Sequence, residues 1–541
     1  MSAPAALYGS DPSLLSPLAA RLLDKGVLKW AISLTASLGA ILEVIDTVIT
    51  NVALVDIRGN LGASLAEAGW VSTGYACANV VIIPLSAWLG FRFGKKNYFI
   101  FSLIGFTLAS LLCGMAPNLG VLIFARVLQG LAGGGLLAKA QSIVFEAFSD
   151  KERALAQSIF GMGIIVGPAI GPVLGGWLTD NMGWRWIFFI NLPIGILAVL
   201  MAWIFMPADD EKKLKRGGSV DWWGIGLLAV GLASFQIMLE EGQQEDWFAS
   251  GLIVATAIAS VIGIALFVWR ELVTPHPAVD LRVLRYRSMV GGTIYSALLG
   301  IGIYGIMFAV PIFVQDYLHY TALQSGMLLV PGALVSAATM MLFGRIGGKV
   351  SPRILITIGA LLTSMTGFML HDINPSTGAA QIFWPLVIRG MGSVLIFMPL
   401  SMATLGPLAK KDIAAGSGLY SLTRQLGSSI GVALITTLLA RQEAGHRAVL
   451  VERISEFRPA FVDRLQALTS HFSAQGMDAT AAHDQAMKLI DRVVSGQAML
   501  VSFSDLFIGV GALFIVSLPI ILLLGGKKAG GDAKEAAAAA H

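Results

Sequence analysis

KWAISLTASLGAILEVIDTVITNVAL, residues 29–54, decides the fold. It is long and apolar enough to cross a bilayer, whose hydrocarbon core of roughly 30 Å takes about 20 helical residues. Two carboxylates, Glu43 and Asp46, stand inside it. Blocks of the same kind recur along the 541 residues, centred near 42, 79, 108, 131, 166, 196, 231, 259, 299, 335, 361, 393, 426 and 512. The chain is 56% hydrophobic and 13% charged, whereas a soluble domain carries about a quarter charged residues. In hydrocarbon every backbone polar group needs an internal partner, and blocks this long meet that need as helices rather than as barrel strands. The sequence therefore predicts an all-α integral membrane protein with 14 transmembrane helices.

Charge reports topology. With the N-terminus inside, the cytoplasmic positions collect Arg21, Lys25 and Lys29, then Arg92, Lys95 and Lys96, then Lys151 and Arg153. Further along they collect Lys212, Lys213, Lys215 and Arg216, then Arg270 to Arg287, then Arg345, Lys349 and Arg353, Lys410 and Lys411, and Lys527 and Lys528. The short outside loops hold Arg58 and Arg185 alone, so the positive-inside rule puts both termini in the cytoplasm. The net charge of +4 is thus no sign of nucleic acid. The segment 441–499 runs against the rule, because it is basic yet lies outside by parity, at a length where the rule weakens. Cys77 and Cys113 both fall inside spans and offer neither a disulfide framework nor a metal cluster.

Two basic linkers divide the chain into six, two and six spans. The expected units are a cytoplasmic amphipathic N-terminus (1–28), an N-terminal six-helix bundle (29–206) and a linker with two extra transmembrane helices (207–288). A C-terminal six-helix bundle (289–525), including the outside loop 441–499, and a disordered tail (526–541) complete the chain. RFGKK (92–96) has an echo in GRIGGK (344–349), and Arg126 of FARVLQG has a counterpart, Arg389, in VIRGMG. An internal repeat with a transport site between its halves is the simplest account.

DTVITNVAL (46–54), RVLQG (126–130), GIIVGPAIGPVLGG (163–176) and WRWIFFINLPIG (184–195) resemble signature segments of the major facilitator superfamily. VDWWGIGLLAVGL (220–232), RQLGSSIGVAL (424–434) and the loop before the last span resemble its fourteen-span drug/proton antiporter branch, the EmrB/QacA type. The resemblance implies the major facilitator fold, an antiporter in a bacterial inner membrane, a proton as coupling ion and no bound cofactor. It also assigns an antiporter motif to Gly163, Gly167, Pro168, Gly171, Pro172, Gly175 and Gly176, and a cytoplasmic loop motif to Arg92, Gly94, Lys95 and Lys96. Family members often carry an acid in that loop where this chain has Phe91, which puts an acid-dependent cytoplasmic lock in doubt.

A charge at mid-bilayer costs about 2.5–3.5 kcal/mol even on the lenient insertion scale, so each intramembrane ionisable residue is a candidate site. At 1.5 Å per residue, Glu43 lies about 21 Å and Asp46 about 26 Å from the inner edge, and Arg126 about 12 Å below the outer one. Arg126 and Asp46 are therefore within pairing depth. Glu43, a turn nearer the midplane, is the favoured proton carrier, with Asp46 its rival; a purely structural Asp46–Arg126 pair is the alternative. Lys139 is read as a titrating group or as a lysine snorkelling to the cytoplasmic interface. Arg389, taken to open its span near the outside, and Arg424, about a turn or more inside its own, are cavity or gate candidates, as is Asp505. Pro168 and Pro172 weaken their helix, and the glycines beside them permit close packing. GIGIYG (300–305) has the letters of a nucleotide loop but follows no strand.

These features lead to an expectation of proton-coupled export of lipophilic, cationic drugs by alternating access, with a dedicated metabolite or lipid exporter, or a non-transporting scaffold, as alternatives. No enzymatic nucleophile and base pair is visible. Expected partners are the small-molecule substrate and membrane lipids, but no nucleic acid. The 441–499 segment, with apolar residues at helical spacing broken at Pro459 and Gly476, is read either as a docking surface for an envelope adaptor protein or as a lid on the outer face.

Overall fold

A computed structural model describes residues 14–24, 26–149, 152–209, 220–275, 277–347, 350–372, 374, 377–452, 454 and 457–524. The tail expected at 526–541 and the lysines at 25, 151, 212, 213, 215, 349, 527 and 528 lie outside these residues, as does Arg216. The described residues are helical, with no strand among them.

A short α1 (Pro17–Asp24) leads into α2 (Leu28–Leu61), which carries the opening stretch. At 34 residues α2 is about 51 Å long, more than a bilayer core requires, and it stops where Gly62 turns left-handed at φ 64°. The first bundle continues with α3 (Leu65–Phe93), α4 (Lys95–Gly114), α5 (Leu119–Gly133), α6 (Leu136–Ala147), α7 (Arg153–Met182), α8 (Trp186–Phe189) and α9 (Asn191–Phe205). The two extra helices are α10 (Trp222–Glu241) and α11 (Gly251–Val273). The second bundle comprises α12 (Arg287–Ile312), α13 (Ala322–Ile346), α14 (Pro352–Leu370), α15 (Ala379–Leu405), α16 (Ile413–Glu452), α17 (Pro459–Ala474) and α18 (Ala479–Val516).

Thirteen of the described helices are long and apolar enough to cross a membrane. The fourteenth position is taken by α16, whose serines, glycines and Arg424 dilute its apolarity and whose first half is buried against α12, α18 and α3. The fourth span is broken at Gly134 and Gly135 into α5 and α6. A methyl group on Gly134 would sit 2.6 Å from the Asn79 carbonyl oxygen, so α3 presses on the chain where it breaks.

The bundles meet through the second and fifth spans of each half: α3 packs on α16, and α7 on α13. Such reciprocal pairing is what an internal repeat produces. The helix α10 packs on α11 and touches both α3 and α16. The segment 441–499 is not a loop: α16 runs on to Glu452, α17 follows from Pro459 at its first turn, and α18 begins at Ala479 after Gly476 at φ 94°. Its apolar spacing was a helical signal, and His446, His471 and His483 stand on these helices.

Candidate functional site

Four of the motif glycines on α7 bring α2 close. A methyl on Gly163 would meet Ile41 at 2.3 Å, on Gly167 Val44 at 3.2 Å, on Gly171 Val48 at 3.0 Å and on Gly175 Ile49 at 2.7 Å. Gly176 has nothing within 4 Å and lies off this seam. The seam fixes the helix that carries both acids.

Asp46 is fully buried and accepts three hydrogen bonds: from Arg126 Nη1 at 2.6 Å, Gln129 Nε2 at 2.9 Å and Asn191 Nδ2 at 2.7 Å. Arg126 in turn donates to Gln129 Oε1 at 2.7 Å and the Val71 carbonyl at 3.2 Å, and its guanidinium lies 4.2 Å from the Tyr75 ring centroid. Every group in this cluster has a partner, so the charge on Asp46 is committed.

Glu43, one turn earlier on α2, is held differently. Asn79 Nδ2 donates to Oε1 at 2.9 Å, and the Leu137 backbone N–H donates to Oε2 at 2.8 Å. No partner for Glu43 was legible along the chain, but the break in the fourth span creates one, because the first N–H groups of α6 have no carbonyl of their own to bind. The carboxylate therefore sits at a helix N-terminus, where its negative charge is favoured, and both its partners are neutral. Its neighbourhood extends across the bundle interface: Ser417 Oγ of α16 donates to the Ala138 carbonyl at 2.9 Å, and Gln141 Nε2 of α6 donates to Ser401 Oγ of α15 at 2.7 Å.

Lys139 does not snorkel. It is buried between α3 and α4, its Nζ 5.7 Å from the Tyr98 ring centroid, in a space left by Gly90, where a methyl would lie 2.0 Å from that nitrogen. In the turn between α3 and α4, Gly94 has φ 95°, and the open end of α4 is capped by Asp209, which accepts from Lys95 N at 2.6 Å and Asn97 N at 3.1 Å. Lys95 also pairs with Glu146 of α6, and Lys96 Nζ donates to the Met206 carbonyl at 2.7 Å. The loop motif thus has carboxylates, although not at position 91. Arg92 lies at the end of α3.

Arg389 does not open its span. It stands ten residues inside α15, about 15 Å along it, and Arg424 stands eleven residues inside α16, about 16 Å along. Both line a cavity between the bundles, together with Pro168 of α7, Tyr304 of α12 and Ser393 and Phe397 of α15. The empty space is about 680 Å³, counting the part open to the outside. No acidic residue lines it among those described, and Glu43 is not at its wall. Two guanidinium groups and no carboxylate make its described wall basic. Asp505 is not among the lining residues and pairs through Oδ2 with His446 Nε2 at 3.1 Å between α18 and α16.

Sequence reasoning missed Asn79, Gln129, Asn191, Gln141 and Asp209. Gln129 and Asn191 lay within RVLQG and WRWIFFINLPIG and could have been singled out as amides inside apolar spans. Residues 36–432 match the Major Facilitator Superfamily. The chain belongs to that family. Within it, the transporter is similar to the fatty acid resistance protein FarB of Neisseria gonorrhoeae, 33% identical over 93% of this chain and 97% of that one. It is equally similar to the multidrug export protein EmrB of Escherichia coli K12, 33% identical over 90% and 94%. These relatives put it in the EmrB-type branch of multi-pass membrane exporters, and it is a transporter rather than an enzyme. The human organic anion transporter MFSD10 shares the fold, with a TM-score of 0.57 over 91% of this chain and 99% of that one at 12% identity. GIGIYG lies within α12, where Gly300 packs against the Arg424 carbonyl of α16, a helix contact and not a nucleotide loop.

Proposed function

We propose that the transporter is a proton-coupled efflux pump for amphiphilic compounds, working by alternating access, with Glu43 as the group that gains and loses the proton. The observation that carries this reading is the contrast between two buried acids one turn apart. Asp46 has a cationic partner, Arg126, whereas Glu43 has only an amide and a backbone N–H. A charge with neutral partners in a buried site is the one that can be discharged by a proton without leaving an opposite charge unpaired. Protonation would turn the bond from Leu137 from a charge-assisted one into a weaker neutral one. It would loosen the start of α6, and α6 carries the bonds to Ser417 and Ser401 of the other bundle. One proton entering down 100 mV supplies about 2.3 kcal/mol.

The basic residues flanking the spans favour cytoplasmic termini in a bacterial inner membrane. With that orientation α17, which has no buried residue, faces the outside, and we propose it as the docking element for an adaptor protein. The test of the pump is reconstitution in liposomes with an internal pH dye and an imposed proton gradient. Substrate-triggered proton movement is expected in wild type and absent in Glu43→Gln; an unchanged signal in that variant would refute the assignment.

A further inference from the structure

We propose that the cavity between the bundles binds amphiphilic anions, a carboxylate or sulfonate head on Arg389 and Arg424 with an apolar body against the walls; this rests on the efflux reading and names its substrate class. Arg389 is 7% exposed, and its Nε and Nη1 have no hydrogen-bond partner among the described residues. A buried guanidinium left unpaired is strongly unfavourable. Its planar fork matches a flat oxyanion in bidentate geometry, which an ammonium would not.

The internal repeat sharpens this. Arg126 occupies the fourth span of the first bundle and is answered by Asp46 from the first span. Arg389 occupies the fourth span of the second bundle, where the first span, α12, contains no acid at all. The structure supplies one arginine with its anion and leaves the other facing empty space. Arg424 adds a second positive group on the same wall, its guanidinium 5.2 Å from the Phe397 ring centroid. Leu299, Ile303, Met307 and Leu329 make the remaining surface oily. A cation would meet two like charges, and a neutral solute would leave Arg389 unanswered.

The test is equilibrium dialysis of the full chain in phosphatidylcholine nanodiscs, against empty nanodiscs, with octanesulfonate and octyltrimethylammonium, which share a tail and differ in head. Octanesulfonate is expected to bind saturably and at least tenfold tighter than the cation. Arg389→Gln should weaken it at least tenfold and Arg389→Lys by less. Ser393→Glu, which places a carboxylate one turn from Arg389, should abolish binding with an unchanged unfolding midpoint and so guards against simple misfolding. Equal binding of the two heads, or affinity unaltered by Arg389→Gln and Ser393→Glu, would overturn the proposal. Phosphatidylglycerol added to the nanodiscs names the source of the head: displacement of octanesulfonate assigns the site to an anionic lipid, and no displacement to a free solute. If the anion binds but no solute moves protons, the efflux reading fails and the site stands; if another amphiphile exchanges for protons while the anion does not bind, the reverse holds.

Discussion

Replacing Asp46 by Asn keeps the side chain's volume and removes its charge. Two of its three donors, Gln129 and Asn191, bind Oδ1, and an amide oxygen there can still accept from them. The new –NH₂ then faces Arg126 Nη1, donor against donor, where a carboxylate oxygen stood at 2.6 Å. Removing one partner of a buried ion pair costs about 3–5 kcal/mol, because the other charge is left uncompensated. Arg126 keeps Gln129 Oε1 and the Val71 carbonyl, so the lower end, about 3 kcal/mol, is expected. Units of 150–250 residues shift by roughly 2–4 °C per kcal/mol, which gives a fall of about 6–12 °C for the first bundle. Glu43→Gln, the same chemical change one turn away, breaks no direct ion pair, and its amide can still accept from Leu137; about 1 kcal/mol or less is expected. Both cysteines lie in the first bundle and Cys113 is buried, so a thiol-reactive dye followed during heating reports this unfolding directly. Equal midpoints for the two variants, or a larger fall for Glu43→Gln, would refute the division of roles between the acids.

Gly175→Ala drives a methyl to 2.7 Å from Ile49 and should cost about 1–3 kcal/mol, whereas Gly176→Ala meets nothing and should be neutral or stabilising in the same dye assay. Gly90→Ala collides with Lys139 Nζ; its loss should be relieved by adding Lys139→Ala, and additive effects would contradict the buried position of that lysine. Asp209→Ala uncaps α4 and should lower the midpoint by the equivalent of about 1 kcal/mol, with no change for Asp209→Asn beyond half of that.

What the sequence made legible was whatever depends on length and composition. Apolar blocks of about 20 residues gave the spans, and rise per residue brought Asp46 and Arg126 to one depth. What it hid depends on where a helix stops and which way a side chain turns. The partner of Glu43 is a backbone N–H exposed by a break at three consecutive glycines, and backbone donors have no letter in a sequence. Lys139 looked close enough to the interface to reach it, but Gly90 on another helix opens a space that draws it inward. Arg389 resembled Arg126 in its surroundings along the chain; only the packing reveals that no acid comes to meet it. Glu43 likewise reads in the sequence as a cavity charge; its hydrogen-bond partners, an amide and a backbone N–H, show only in the packing.

Glu43, and not Asp46, is the acid proposed to exchange the proton. Infrared difference spectroscopy on the reconstituted transporter, stepped between low and high pH, reads the carboxyl C=O band directly. A band present in wild type and in Asp46→Asn but missing in Glu43→Gln is the predicted result. A band that survives in Glu43→Gln and disappears in Asp46→Asn would contradict it.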